Sequence, residues 1–146
     1  SGGGGSGGGG SVSASGKACI LERPYSYVDS WGAPRSGGRS HQGTDVMAPH
    51  GARVFAIVNG VVSRESSSTN GGIQLYLQGD NGVEYFYAHL SGYAVSTGAR
   101  VRAGQLIAYN GQTGNARYTA PHVHFEVHPG GGGAVNPYPY VKAACG

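Results

Sequence analysis

The chain has 146 residues, 29 of them glycine, with 12% charged residues and a formal net charge of +3. That length supports one domain with a core of its own. Its ten Lys and Arg are scattered rather than gathered into the stripe that nucleic-acid binding needs, and no apolar run is long enough to span a bilayer. The mild positive charge suits weak attraction to an anionic polymer such as a bacterial wall.

Residues 1–11 are two Gly4-Ser units. Such a repeat behaves as a flexible coil with nothing to bury. It has the form of a laboratory linker, expected to join this chain to a fusion partner that the sequence does not identify, and it is set aside from fold reasoning. The domain is expected over residues 12–146. Cys19 and Cys145 bracket it, which predicts a disulfide tying its two ends together and an oxidising, secreted or extracytoplasmic location. With no C-x-x-C spacing, zinc ligation by these cysteines is not expected.

The remaining pattern is strands and turns. Residues 45–47 form a short strand. Residues 52–63 are rich in β-branched side chains, with Asn59-Gly60 as punctuation. Residues 72–78 alternate, Gly79-Asp80-Asn81-Gly82 reads as a hairpin turn, and residues 83–90 return as the partner strand. Shorter strands follow at 100–102 and 106–109, a polar loop at 110–120, and a last clear strand at 122–128. Gly130–Gly133 and Pro137/Pro139 predict a loop and an extended tail. No amphipathic helix of about ten residues is visible, so the expected class is all-β: an antiparallel sheet core, sandwich- or barrel-like.

Five residues carry the chemistry: His41 and Asp45 as H-x-x-x-D, a lone His89, and His122 and His124 as H-x-H. A catalytic zinc takes three protein ligands and keeps a further position open. Two histidines and one aspartate fill such a set and leave two histidines for proton transfer. Each motif alone is weaker. An Asp four residues from a His is a common surface pair. On a straight strand the two would lie about 13 Å apart, so the segment has to turn, and Gly43 is where it can. His122 and His124 share one strand face, about 6.5 Å apart, with Val123 and Phe125 on the other; spacing leaves open which of them binds metal, since both can. His89 shares strand parity with Tyr85 and Tyr87, and a lone histidine among aromatics is often structural. Glu126 shares parity with His122 and His124, either as an acceptor for a ligand imidazole N–H or as a solvated strand end. His50 and His128 receive no role.

Taken together the motifs resemble the lysostaphin/LytM-type zinc metallopeptidases of peptidase family M23. The resemblance runs through Trp31-Gly32, His41-Gln42-Gly43-Thr44-Asp45, Ala48-Pro49-x-Gly51, Tyr87-Ala88-His89-Leu90, Gly98-x-x-Val101-x-x-Gly104-Gln105, Gly111-x-Thr113-Gly114-Asn115, Ala120-Pro121-His122-Val123-His124-Phe125-Glu126 and Asn136-Pro137. It implies one Zn²⁺ held by His41, Asp45 and His124, with His122 not a ligand but paired with His89 for proton transfer. It also implies a groove floored by the sheet and walled by loops, including residues 110–120 and 64–72, and a substrate among the peptide stems and bridges of bacterial peptidoglycan. Arg35, Arg117 and Tyr118 are the candidate substrate contacts. Members that cleave glycyl-glycine often carry a Tyr shortly before the first ligand. Here Arg35 and Arg39 occupy that stretch, so pentaglycine specificity is not implied. A relative of another class, a non-catalytic module that binds wall or activates a hydrolase, would be expected to have lost ligands, and none is lost here.

Overall fold

The computed structural model describes residues 16–29, 31–32, 43–116 and 119–145. The expected linker, His41, Arg35, Arg39, Arg117 and Tyr118 all lie outside them. Among the described residues the strands are β1 (Thr44–Met47), β2 (Arg53–Phe55), β3 (Gly60–Ser68), β4 (Gly72–Gly79), β5 (Val83–Tyr93), β6 (Arg100–Val101), β7 (Leu106–Asn110) and β8 (His122–Pro129), followed by a helix α1 (Tyr138–Cys145). The pairings given for these strands are all antiparallel.

The sheet is open and branched rather than closed. Its main path runs β1-β8-β5-β4-β3-β6, while β7 pairs with both β5 and β2. The branch lies within β5. Val83 to Ala88 pair with β8, whereas Leu90 to Tyr93 pair with β7. On the opposite edge of β5 the register against β4 shifts between Leu75↔Tyr87 and Ile73↔Leu90. One more residue is used on β5 than on β4 there, the mark of a β-bulge.

Alternation places the core. Val123, Phe125 and Val127 of β8, Tyr85 and Tyr87 of β5, and Leu75 and Leu77 of β4 are buried on one face. The Tyr87 and Phe125 rings meet edge to face at 5.1 Å. The Tyr87 hydroxyl donates to Phe55 O at 3.2 Å and accepts from Ile57 N–H at 3.1 Å, so a fully buried phenol is satisfied at both valences. In the β4–β5 turn Gly82 takes φ of 83° while Asn81 is not left-handed. Asn81 instead stays to cap the turn, its Oδ1 accepting from Val83 N–H at 3.1 Å.

Two expectations are corrected. The tail is not extended: residues 138–145 form α1. Asn136 Oδ1 accepts from Tyr138 N–H at 3.0 Å, Pro139 sits in the first turn where its missing N–H costs nothing, and Val141 is buried against the core. Residues 64–68, expected as loop wall, continue β3. The cysteine pairing is present: Cys19 and Cys145, 126 positions apart, are joined as a disulfide with Cα atoms 4.5 Å apart.

Candidate metal and proton-transfer site

The open face of the sheet carries the site, and strand register assembles most of it. Asp45 of β1 lies directly across from His124 of β8, as Met47 lies across from His122. Directly opposed residues in an antiparallel pair share a face with Cβ atoms about 5 Å apart. The carboxylate therefore meets the imidazole: Asp45 Oδ1 is 3.2 Å from His124 Nδ1 and 3.8 Å from His122 Nε2. The other nitrogen of His124, Nε2, lies 2.7 Å from Glu126 Oε2. Glu126 is thus an acceptor for this ring, not a solvated strand end.

Gly43 serves a different purpose from the one its flexibility suggests. Its φ is not among the left-handed ones. A Cβ built there would sit 2.6 Å from Phe125 O and 2.8 Å from His124 Cε1. Glycine is needed so that the chain before Asp45 can press against the His124 ring.

His89 departs most from the sequence reading. Straight alternation puts it on the core face with Tyr85 and Tyr87. It faces the site instead, its ring centroid 5.0 Å from that of His122 and 6.1 Å from that of His124. The cause is backbone. His89 has φ of 64°, and it alone among the described non-glycine residues is left-handed. It sits at the bulge where β5 changes partner. One αL residue turns its side chain off the alternating pattern, at a conformational cost that the surroundings must offset.

Those surroundings include a residue without an assigned role in the sequence reading, Thr113. Its hydroxyl accepts from Ile73 N–H at 3.0 Å and donates to Leu90 O at 2.6 Å, stitching β4 to β5 at the bulge. Its carbonyl accepts from His89 Nδ1–H at 2.8 Å. His89 N–H reaches Gly71 O at 2.8 Å. The visible signal for Thr113 was its place between glycines in Gly111-x-Thr113-Gly114, but its partners are 23, 24 and 40 positions away.

Hydrogen bonding fixes the tautomers. His89 Nδ1 faces Thr113 O, and His122 Nδ1 faces Ala120 O at 2.9 Å. A carbonyl only accepts, so in each neutral ring Nδ1 carries the hydrogen and Nε2 keeps its lone pair. Burial pushes the His89 ring down to about 4, ahead of the opposing hydrogen bond to Thr113 and the repulsion from His122 and His124, so it is neutral at ordinary pH. His124 is the opposite case. Burial disfavours its charge, but Asp45 and Glu126 outweigh that and lift the metal-free ring to about 9. Burial alone would raise the Glu126 carboxyl; hydrogen bonds from His124 and His128 hold it below its usual range.

Among the described residues no cluster of three or more metal-ligating side chains forms; the third expected ligand, His41, lies outside them. The donors that are described fit a zinc ion. His124 is anchored at Nε2 and turns Nδ1 toward the Asp45 carboxylate. Two carboxylates flank the ring, so a proton or a cation at Nδ1 compensates charge that the apolar side of the sheet cannot.

Sheet, cross-strand carboxylate–imidazole pair and two buried imidazoles define the class: a β-sheet domain with a candidate metal-ligand pair beside two histidines. The sequence profile of Peptidase family M23 matches residues 39–137, and the chain belongs to that family. The L-Ala--D-Glu endopeptidase of Bacillus subtilis (strain 168) is 33% identical over 135 residues, 84% of this chain and 41% of that protein. The chain thus spans about two-fifths of that relative's length. The catalytic domain of the antimicrobial peptidase lysostaphin from Staphylococcus simulans superposes with a TM-score of 0.72 at 34% identity, over 81% of this chain and 92% of that domain. A zinc-containing peptidase from Vibrio cholerae gives 0.73 at 29% identity, over 83% of this chain and 39% of the other.

Proposed function

We propose that the chain is a zinc-dependent endopeptidase that hydrolyses peptide bonds in the stems or cross-bridges of bacterial peptidoglycan, acting outside the cytoplasm. The observation that carries this reading is the pair His89 and His122. Each has Nδ1 committed to a backbone carbonyl, with the rings 5.0 Å apart beside Asp45 and His124. Two buried imidazoles with matched tautomers are poorly explained by packing alone. The zinc-containing neighbour and the L-Ala--D-Glu endopeptidase relative support the metal and the substrate class, and the Cys19–Cys145 disulfide supports an oxidising compartment.

In this reading Asp45, His124 at Nδ1, and His41 hold the zinc, which when bound supplies an acidified water and polarises the scissile carbonyl. The protein does the rest. Asp45 adds a single negative charge to the ligand set. Glu126 holds the His124 ring in place. His89 and His122 share the acceptance of a proton at Nε2 from the attacking water and its delivery to the leaving amine, which must gain a proton as the C–N bond breaks. The covered flank of the site, with His89 7% and His122 9% exposed, limits competing solvent. Arg35, Arg117 and Tyr118 remain proposed substrate contacts. The second reading, a non-catalytic wall-binding or hydrolase-activating module, is disfavoured because His41, Asp45 and His124 are all present in the sequence.

The test is digestion of diaminopimelate-type, lysine-type and pentaglycine-bridged walls, with mass spectrometry of the released muropeptides. New peptide termini should appear in at least one wall type, vanish on chelation and return with Zn²⁺. Binding to walls with no new terminus in any of them would favour the non-catalytic module.

A further inference from the structure

We infer that His128 is a positioning residue for the metal centre, acting through Glu126 to fix the ring of His124; this rests on the reading of His124 as a zinc ligand. On the regular strand β8, His122, His124, Glu126 and His128 fall on one face at a spacing of about 6.5 Å. Glu126 stands midway between two histidines and uses both oxygens. Oε2 is 2.7 Å from His124 Nε2, and Oε1 is 2.8 Å from His128 Nε2. The far nitrogen of His128, Nδ1, is 2.8 Å from Gly132 O. A continuous path therefore runs from the Gly132 carbonyl through His128 and Glu126 to the back of the His124 ring.

Each link restrains the next. A carboxylate held at one oxygen can swing about its Cγ–Cδ bond; held at both by rings on the same strand face, it cannot turn away from His124. Phe86 lies across from Glu126, and its ring stands edge to face with that of His124, centroids 6.3 Å apart, on the side toward β5. Glu84 lies across from His128. The outer end is anchored by the loop of residues 130–133. Gly130 and Gly131 are both left-handed, with φ of 65° and 74°, and the loop is pinned by Gly131 N–H to His128 O at 3.0 Å and Gly132 N–H to Pro129 O at 3.1 Å. Two successive positive φ values are cheap only for glycine, and they fold the Gly132 carbonyl back onto the end of β8. The glycine run and the otherwise unassigned His128 thus belong to one device. Both Glu126 and His128 side chains are 21% exposed, so solvent competes only partly for these contacts.

The test measures zinc dissociation constants by competition with a chromophoric chelator, together with the visible spectrum of the Co²⁺-substituted protein. Removing a partner next to a ligand typically weakens metal binding about 10–100-fold, which is the expectation for Glu126→Ala. His128→Ala, one link further out, should weaken it about 3–10-fold and broaden the Co²⁺ bands, with the metal-free protein still folded by circular dichroism. His128→Gln reaches Glu126 with its amide N–H and should restore most of the affinity. His128→Asn reaches only Gly132 and should not, and it stands in if the alanine variant fails to fold. In a Glu126→Ala background, His128→Ala should add less than about a twofold change, since its route is gone. Unchanged affinity in both the Ala and Asn variants would overturn the inference, as would a full loss that persists without Glu126. A wild-type protein that binds no zinc would instead overturn the reading on which the inference rests.

Discussion

Replacing His89 by glycine should leave a more stable protein than replacing it by alanine, the reverse of the usual order in a strand. With φ at 64°, His89 holds a left-handed conformation, which costs an L-residue about 1–2 kcal/mol. His89→Ala keeps that cost and loses the ring's contacts. His89→Gly loses the same contacts but releases the strain. Against this stands the greater freedom of glycine in the unfolded chain, about 0.5–1 kcal/mol. At mid-range the balance favours glycine by about 0.75 kcal/mol. With a urea m-value of about 2 kcal/mol/M, that is a midpoint about 0.4 M higher for glycine. Urea titrations of both metal-free variants, followed by circular dichroism, measure it directly. Both variants should keep zinc and lose turnover. If alanine proved as stable as glycine, His89 would not be strained at the bulge, and the backbone explanation for its orientation would fail.

Gly43→Ala should fold but bind zinc poorly. The new Cβ meets Phe125 O at 2.6 Å and His124 Cε1 at 2.8 Å; the carbonyl is fixed in the sheet, so the ring moves, at an overpacking cost of about 1–3 kcal/mol. Chelator competition and urea titration read the two effects, and wild-type affinity would show that the ring has room. Zinc uptake should release protons. A ring that holds its proton up to about 9 in the metal-free chain must give it up at Nδ1, so near pH 7.5 close to one proton leaves His124 per ion, and affinity rises about tenfold per pH unit until it levels off near 9. Titration calorimetry in buffers of differing protonation enthalpy counts these protons; a count near zero would remove His124 from the ligand set. Reduction of Cys19–Cys145 should lower stability by about 4–5 kcal/mol, the chain-entropy value for so long a loop, with zinc content unchanged, since neither cysteine belongs to the site. Thermal unfolding before and after reduction and alkylation checks it; unchanged stability would leave the disulfide without a structural role.

The parts legible in the sequence were those governed by regular local periodicity. β8 alternates without a break, so the shared face of His122 and His124 and the core face of Val123 and Phe125 followed from period two. The cysteine pair followed from its placement. His89 was misplaced because its face depends on a bulge whose cause is distributed: Thr113 and Gly71 come from other segments, and nothing within residues 85–90 marks the break in alternation. Gly43 read as a hinge because glycine's flexibility is visible in sequence, whereas the approach of the His124 ring is not. Helix α1 has only eight residues, with Pro139 among them, too short for a periodic signal, so the two prolines read as an extended tail. Glu126 stayed open between ring acceptor and solvated strand end, and His128 received no role, because the bond joining them depends on rotamers, not on spacing.

The division of labour between ligands and proton-transfer residues is tested most directly by zinc content measured beside turnover in five alanine variants. His41→Ala, Asp45→Ala and His124→Ala should each lose both metal and activity, because two protein ligands hold zinc poorly. His89→Ala and His122→Ala should retain most of the zinc and lose turnover by about 10²–10⁴-fold. The sharpest contrast lies between His122 and His124, the same side chain two positions apart on one face. A loaded His124→Ala beside an empty His122→Ala would exchange their roles. Equal loss of metal from both would make each a ligand and would contradict the pairing of His89 with His122.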